Sequence, residues 1–135
     1  MAEYHNYKIL IIDDSRLILR QMGHHLSELG VANVEAFSQS SEASARIFEL
    51  QNSGETVDVV FCDVNMPEPD GLQILEQFRG VEHLKTVPFY LITAETKETM
   101  KNEAIGLGVT EILNKPATPE KFLEVFASIE QKKAS

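Results

Sequence analysis

The 135-residue chain carries 21 acidic and 12 basic side chains, a formal net charge of −9, and 43% hydrophobic residues. This length and composition predict one globular domain over residues 1–135. The negative charge argues against nucleic-acid binding, and no apolar run approaches the roughly 18 residues of a membrane-spanning helix.

Five short segments are rich in branched or aromatic residues and are predicted to be strands. In chain order they are KILIID at 8–13, NVEAF at 33–37, VDVVFCD at 57–63, PFYLIT at 88–93 and TEILNK at 110–115. Three of them are nearly continuous apolar runs, which is the pattern of strands covered on both faces of a parallel sheet.

Helical patterns separate the strands. In the first, Ile18, Met22, Leu26 and Leu29 recur at helical spacing, and Gly30 follows as a C-terminal cap. The next three gaps hold SSEASARIFELQ at 40–51, GLQILEQFRG at 71–80 and TKETMKNEAIGLG at 96–108.

The last helical segment begins with a capping Thr118 and with Pro119 at the first helical position. Its apolar stripe of Phe122, Phe126 and Ile129 is expected to lie in the core. Strict alternation of strands and helices predicts an α/β fold, a doubly wound five-stranded parallel sheet with five helices. Such sheets bind ligands beyond the C-terminal ends of their strands.

Polar side chains stand at four of those strand ends: the pair Asp13 and Asp14, then Asp63, Thr93 and Lys115. Three carboxylates about 5 Å apart would repel one another by roughly 3 kcal/mol per pair at an effective dielectric of about 20. A cation is therefore expected, and an all-oxygen site with room for water suits Mg²⁺ better than Ca²⁺.

This arrangement predicts phosphoryl chemistry. A carboxylate beside Mg²⁺ is a candidate nucleophile toward phosphorus and would form an aspartyl phosphate. Thr93 would bond one phosphoryl oxygen, while Lys115 and the metal would neutralise the others. Taken singly, each residue has an ordinary interpretation: Asp14 or Ser15 can cap the first helix, and a lone Lys115 is a surface lysine.

As a set, these residues resemble the receiver domain of two-component response regulators, and most of all the single-domain chemotaxis-type regulators. The resemblance covers about residues 7–131 and includes Met66-Pro67 and Asp70-Gly71 in the loop after Asp63. It implies a flavodoxin-like fold with strand order 2-1-3-4-5.

The resemblance also implies roles for the site residues. Asp63 would accept the phosphoryl group from a histidine kinase, Thr93 would be the switch hydroxyl, and Lys115 would contact the phosphoryl group. The implied Mg²⁺ ligands are Asp13, Asp14, Asp63 and the backbone carbonyl of Asn65.

Further expectations follow from the resemblance. The Lys115-Pro116 peptide bond is predicted to be cis, against a general frequency of roughly 5% for such bonds. Asn65 and Glu95 match a pair that tunes loss of the phosphoryl group, which implies a short-lived signal. One position departs from many relatives: Ile112 stands where they carry Tyr or Phe, so an aromatic rotation cannot transmit the switch.

The predicted function is a stand-alone phosphoacceptor response regulator that is not an enzyme beyond its own phosphorylation and autodephosphorylation. Its phosphorylated form would bind a downstream protein through the face of the fourth helix, fifth strand and fifth helix. An alternative is a phosphorelay intermediate that passes the group to a histidine phosphotransfer protein.

A phosphatase of the haloacid dehalogenase type is a third hypothesis, from another class of protein. It is disfavoured because its nucleophile usually starts a D-x-D motif at the first strand, where this chain has Asp13-Asp14-Ser15. The first residues, MAEYHNYK, lack the features of a secretory signal, and the single Cys62 sits in an apolar run, so a cytoplasmic location is expected.

Overall fold

A computed structural model of the protein describes residues 3–95 and 97–135; Thr96, part of the predicted fourth helical segment, lies outside them. The strands are β1 (Lys8–Ile12), β2 (Asn33–Phe37), β3 (Val59–Asp63), β4 (Phe89–Thr93) and β5 (Glu111–Asn114). The helices are α1 (Arg16–Glu28), α2 (Ser40–Ser53), α3 (Gly71–Arg79), α4 (Glu98–Gly106) and α5 (Pro119–Ala134).

The five strands form one sheet in the order β2-β1-β3-β4-β5, and all four pairings are parallel. This confirms the predicted doubly wound α/β fold and its strand order. Every residue of β3 and β4 is buried, whereas the edge strands β2 and β5 are partly exposed. Continuous apolar runs therefore mark the strands that are covered on both faces.

A separate core lies on each face of the sheet. One packs α2, α3 and α4 against side chains such as Leu10, Val60 and Leu91. The other packs α1 and α5 against side chains such as Ile11 and Phe61. The alternation of side chains along each strand divides its apolar residues between the two cores.

Capping residues mark the N-terminal ends of three of the helices. Ser15 caps α1 by accepting the backbone N–H of Ile18 at 3.3 Å, so Ser15 rather than Asp14 supplies this cap. Asp70 and Gln73 form a reciprocal capping box at the start of α3. At α5, the expected Thr118 cap accepts the N–H of Lys121 at 3.3 Å. Such caps satisfy backbone donors that have no partner within a helix.

Some details differ from the sequence predictions. Two short 3-10 helices, Glu3–Asn6 and Glu82–Leu84, were not predicted. On α1, Leu19 is buried together with Met22 and Leu26, while Ile18 is only partly buried. Gly30 has the expected left-handed conformation, with φ of 91°. Among the described residues, no helix is long and apolar enough to cross a bilayer.

Candidate functional site

The fold gathers the predicted residues at the carboxyl edge of the sheet. Asp63 and Thr93 are the last residues of β3 and β4, and Asp13 directly follows β1. Lys115 directly follows β5, so its long side chain approaches from the far side of β4. The chain thus brings together side chains that are separated by up to about a hundred positions in the sequence.

Lys115 is the centre of a charge network. Its Nζ lies 3.1 Å from Oδ1 of Asp63 and 3.3 Å from Oδ2 of Asp13. Asp13 and Asp63 are 2% and 5% exposed, so little water screens these contacts. The second oxygen of Asp13 accepts the backbone N–H of Ser15 at 2.9 Å, which fixes the carboxylate.

This environment shifts the pKa values of both partners. Burial raises the pKa of the Asp63 carboxyl, the negative charge of Asp13 raises it further, and the lysine offsets only part of this. Burial alone would lower the pKa of Lys115, but its hydrogen bond to Asp63 and the charge of Asp13 raise it overall. Lys115 therefore stays protonated, whereas the ionised form of Asp63, the candidate phosphoacceptor, is disfavoured.

The carboxylates suit a hard divalent cation. One oxygen each from Asp13, Asp14 and Asp63 lies within 4.8 Å of the other two, and Asp14 is open to solvent. The three carboxylates together with the single positive charge of Lys115 leave a net negative charge, which a bound metal ion would neutralise. An all-oxygen donor set with one exposed member suits an ion that keeps some of its water.

Thr93 at the end of β4 and Asn65 in the loop after β3 lie beside this cluster. The hydroxyl oxygen of Thr93, 1% exposed, accepts the backbone N–H of Glu95 at 2.9 Å. The side-chain amide of Asn65 donates to Glu95 at 3.2 Å, so the predicted pair is in direct contact. The backbone carbonyl of Asn65 as a metal ligand stays a prediction.

Backbone geometry explains the Asp70-Gly71 motif. A Cβ atom on Gly71 would overlap the carbonyl oxygen of Asp63 and lie 2.8 Å from Cα of Val64. The glycine therefore lets α3 begin directly against the end of β3. The Lys115-Pro116 bond is cis, as predicted, and Glu68-Pro69 is a second cis bond that was not predicted.

Sequence reasoning missed one side chain near the site. Nζ of Lys121 donates to the carbonyls of Asn114 at 2.6 Å and Pro116 at 3.1 Å, the residues on either side of Lys115. No motif singles out this lysine, because its contacts depend on how the loop before α5 folds back.

The helix α4 buries one side and exposes the other. Met100 and Ala104 are 7% and 0% exposed and pack into the core. Ile105, at 67%, is the exposed apolar side chain of this helix. Ile112 is partly buried against the same core, consistent with packing rather than with a rotating ring.

Comparison with known proteins agrees with this geometry. The family model described as the response regulator receiver domain matches residues 9–127. The chain is 31% identical over 117 residues to chemotaxis protein CheY1 of Helicobacter pylori, an alignment that covers 87% of this chain and 91% of that protein. It is 34% identical over 113 residues to chemotaxis protein CheY-3 of Vibrio cholerae, covering 84% and 83%.

A solved structure extends the agreement to three dimensions. Chemotaxis protein CheY4 of Vibrio cholerae is similar with a TM-score of 0.79 at 31% identity, covering 92% of this chain and 98% of that chain. Sequence, strand order and the placement of the acidic residues all point to one conclusion. The chain belongs to the response regulator receiver domain family.

Proposed function

We propose that this protein is a stand-alone response regulator whose Asp63 accepts a phosphoryl group from the phosphohistidine of a histidine kinase. The observation that carries the proposal is the pairing of a buried Asp63 with Lys115 at 3.1 Å, next to the carboxylates of Asp13 and Asp14. The relatives named as chemotaxis proteins support a switch of this kind.

In the proposed reaction, a carboxylate oxygen of Asp63 forms a bond to phosphorus while the phosphorus–nitrogen bond of the donor breaks. The imidazole leaves with the electron pair and takes up a proton. Autodephosphorylation is the attack of water on phosphorus, which releases inorganic phosphate and restores the carboxylate. The protein itself carries the phosphoryl group between these two steps, so the proposed role is that of a signal carrier rather than of an enzyme acting on other molecules.

Chain residues hold and orient the reacting groups. Asp13, Asp14, Asp63 and the carbonyl of Asn65 would hold Mg²⁺, which when bound neutralises charge on the phosphoryl oxygens. The ammonium of Lys115, already paired with Asp63, would contribute a second positive charge. Thr93, whose hydroxyl oxygen accepts the N–H of Glu95, would turn to donate its hydroxyl hydrogen to a phosphoryl oxygen.

We further propose that this movement of Thr93 changes the binding of a downstream protein to the face formed by α4, β5 and α5. Exposed Ile105 gives that face an apolar contact point. Since Ile112 cannot rotate as a ring does, the change would reach the face by repacking of β4 against β5. Their register places Thr93 opposite Asn114.

Intact mass spectrometry with acetyl phosphate and MgCl₂ tests the proposal. The wild type is expected to gain one phosphoryl group, and Asp63→Asn is expected to gain none because it lacks the nucleophile. Asp58→Asn, at the opposite end of β3, is the matched control and should react like the wild type. An adduct on Asp63→Asn, or no adduct on the wild type while a known receiver reacts, would refute the assignment.

The lifetime of the adduct separates the two signalling roles. Decay within minutes after removal of the donor supports a switch that resets itself. A stable adduct that is transferred to a histidine phosphotransfer protein supports the phosphorelay alternative.

A further inference from the structure

A cavity of about 480 Å³ opens at the end of the sheet opposite to the carboxylates. The segments that lead into β3 and β4 line it together with the last turns of α5. Val57, Val87 and Ile129, each 5% exposed or less, give it an apolar floor. The volume lies within the range of about 300–1,000 Å³ that is typical of small-molecule sites.

Several polar groups around this cavity already have partners in the fold. The carboxylate of Asp58 accepts the backbone N–H of Lys8 at 2.7 Å. The ring nitrogen Nε2 of His83 is 2.9 Å from a backbone carbonyl of α2. The hydroxyl oxygen of Thr110 accepts a backbone N–H of β4 at 2.9 Å. Asp58 is the one lining carboxylate among the described residues, and one of its two oxygens is used in this way.

Two donors around the cavity have no such partner. Tyr90 is 2% exposed and lines the cavity, and its hydroxyl forms no hydrogen bond within residues 3–95 and 97–135. The ammonium of Lys132 forms no ion pair with any carboxylate in the same ranges, whereas its neighbour Lys133 is 3.6 Å from Glu130. The Tyr90 hydroxyl and the Lys132 ammonium are therefore both available to an acceptor bound in the cavity.

We propose that this cavity binds a small organic anion. Its apolar body would lie on the floor of Val57, Val87 and Ile129. Its acceptor groups, a carboxylate or a phosphate among them, would meet the hydroxyl of Tyr90 and the ammonium of Lys132. The site is independent of the phosphoacceptor chemistry, because the two lie at opposite ends of β3.

Nuclear magnetic resonance of the ¹⁵N-labelled full chain in EDTA tests this site. The probes are benzoate and phenyl phosphate, with benzyl alcohol as an uncharged molecule of similar size. Saturable shifts at the amides of Thr86 and Thr110 with either anion, without shifts at Asn65 and Ala94, would support the proposal. The anion that binds more tightly would identify the acceptor as a carboxylate or a phosphate.

Three variants assign the binding to the proposed donors. Tyr90→Phe keeps the ring and removes one donor, so it should weaken anion binding about tenfold. Lys132→Gln should weaken it about threefold, because this ammonium is open to solvent. Arg20→Gln removes an exposed positive charge from α1 and should leave it unchanged.

Three results would overturn the proposal: no saturable shift with either anion, equal binding of benzyl alcohol, or full affinity in Tyr90→Phe. A thermal melt of each variant verifies that it is folded. Because Tyr90→Phe retains the packing of the ring on Phe61, 5.6 Å away between ring centres, it should fold like the wild type.

Discussion

The buried charge of Asp63, the proposed phosphoacceptor, opposes the stability of the folded protein. Its carboxylate is buried beside Asp13, and Lys115 compensates for only part of the repulsion. A raised pKa in the folded state means that the ionised carboxylate favours unfolding relative to its protonated form. The metal-free protein therefore carries an energetic cost at the proposed phosphoacceptor.

Removing that charge should stabilise the metal-free protein. In EDTA at pH 8, Asp63→Asn is expected to raise the free energy of unfolding by about 1 kcal/mol, since two charges 5 Å apart repel by roughly 3 kcal/mol and Lys115 offsets part of this. This gain in the free energy of unfolding should shrink as the pH falls through the folded-state pKa of Asp63, because the wild-type carboxyl then becomes neutral as well.

Urea unfolding at pH 8 and at pH 5 measures both effects. Glu124→Gln removes one negative charge from an exposed position of α5 and is the matched control. It should change stability much less than Asp63→Asn. An Asp63→Asn protein that is less stable than the wild type at pH 8 would show that the pairing with Lys115 outweighs burial and repulsion.

At the scale of elements, the sequence predicted the existence and type of every strand and of all five α-helices. Segments such as NVEAF, which became β2 without change, carry a strong β pattern. Boundaries were less accurate: the third strand was predicted from Val57, but it begins at Val59. The two 3-10 helices were missed because three or four residues are too few to show a period.

The candidate site was predictable for a related reason. A parallel sheet places the C-terminal ends of all its strands at one edge. Correct assignment of the strands is therefore enough to predict that Asp13, Asp63 and Lys115 lie close together. Contacts that depend on loop conformation did not follow from the pattern. The hydrogen bonds of Lys121 to the carbonyls on either side of Lys115 are an example of such loop-dependent contacts.

The junction of β5 and α5 yields a prediction about Lys121. Lys121→Met keeps much of the side-chain length but loses both bonds to carbonyls beside Lys115. We expect phosphorylation by acetyl phosphate to slow about two- to tenfold, because small misplacement of a charge at the reacting group is costly. Lys121→Arg, which restores donors, should recover part of the rate.

Lys85→Met is the control for this experiment. Lys85 pairs with Glu82 at 2.8 Å on the second 3-10 helix, away from the phosphoacceptor, so its loss should not alter the rate. Initial rates from intact mass are compared for all four proteins at equal donor concentration. Equal rates for Lys121→Met and the wild type would show that the side chain of Lys121 does not influence phosphorylation.

At the scale of the whole molecule, the site connects β1, β3 and β5, so a ligand there should stabilise the entire fold. MgCl₂ at a hundred times its dissociation constant is expected to add about 2.7 kcal/mol to the free energy of unfolding. Asp13→Asn should lose most of this gain. Thermal unfolding in MgCl₂ and in NaCl of equal ionic strength measures it, and an equal gain in both salts would argue against a specific metal site.

Because Lys115 follows β5, it is synthesised after the three carboxylates of the site. Asp13, Asp14 and Asp63 leave the ribosome long before Lys115, which partly offsets their charge and follows the strand at the far edge of the sheet. A partly synthesised chain therefore holds the three carboxylates without their countercharge. The ion pairs of Lys115 with Asp13 and Asp63 can form only after β5 and the residues that follow it have been synthesised, so the charge arrangement on which the proposed phosphoryl transfer depends arises late in synthesis.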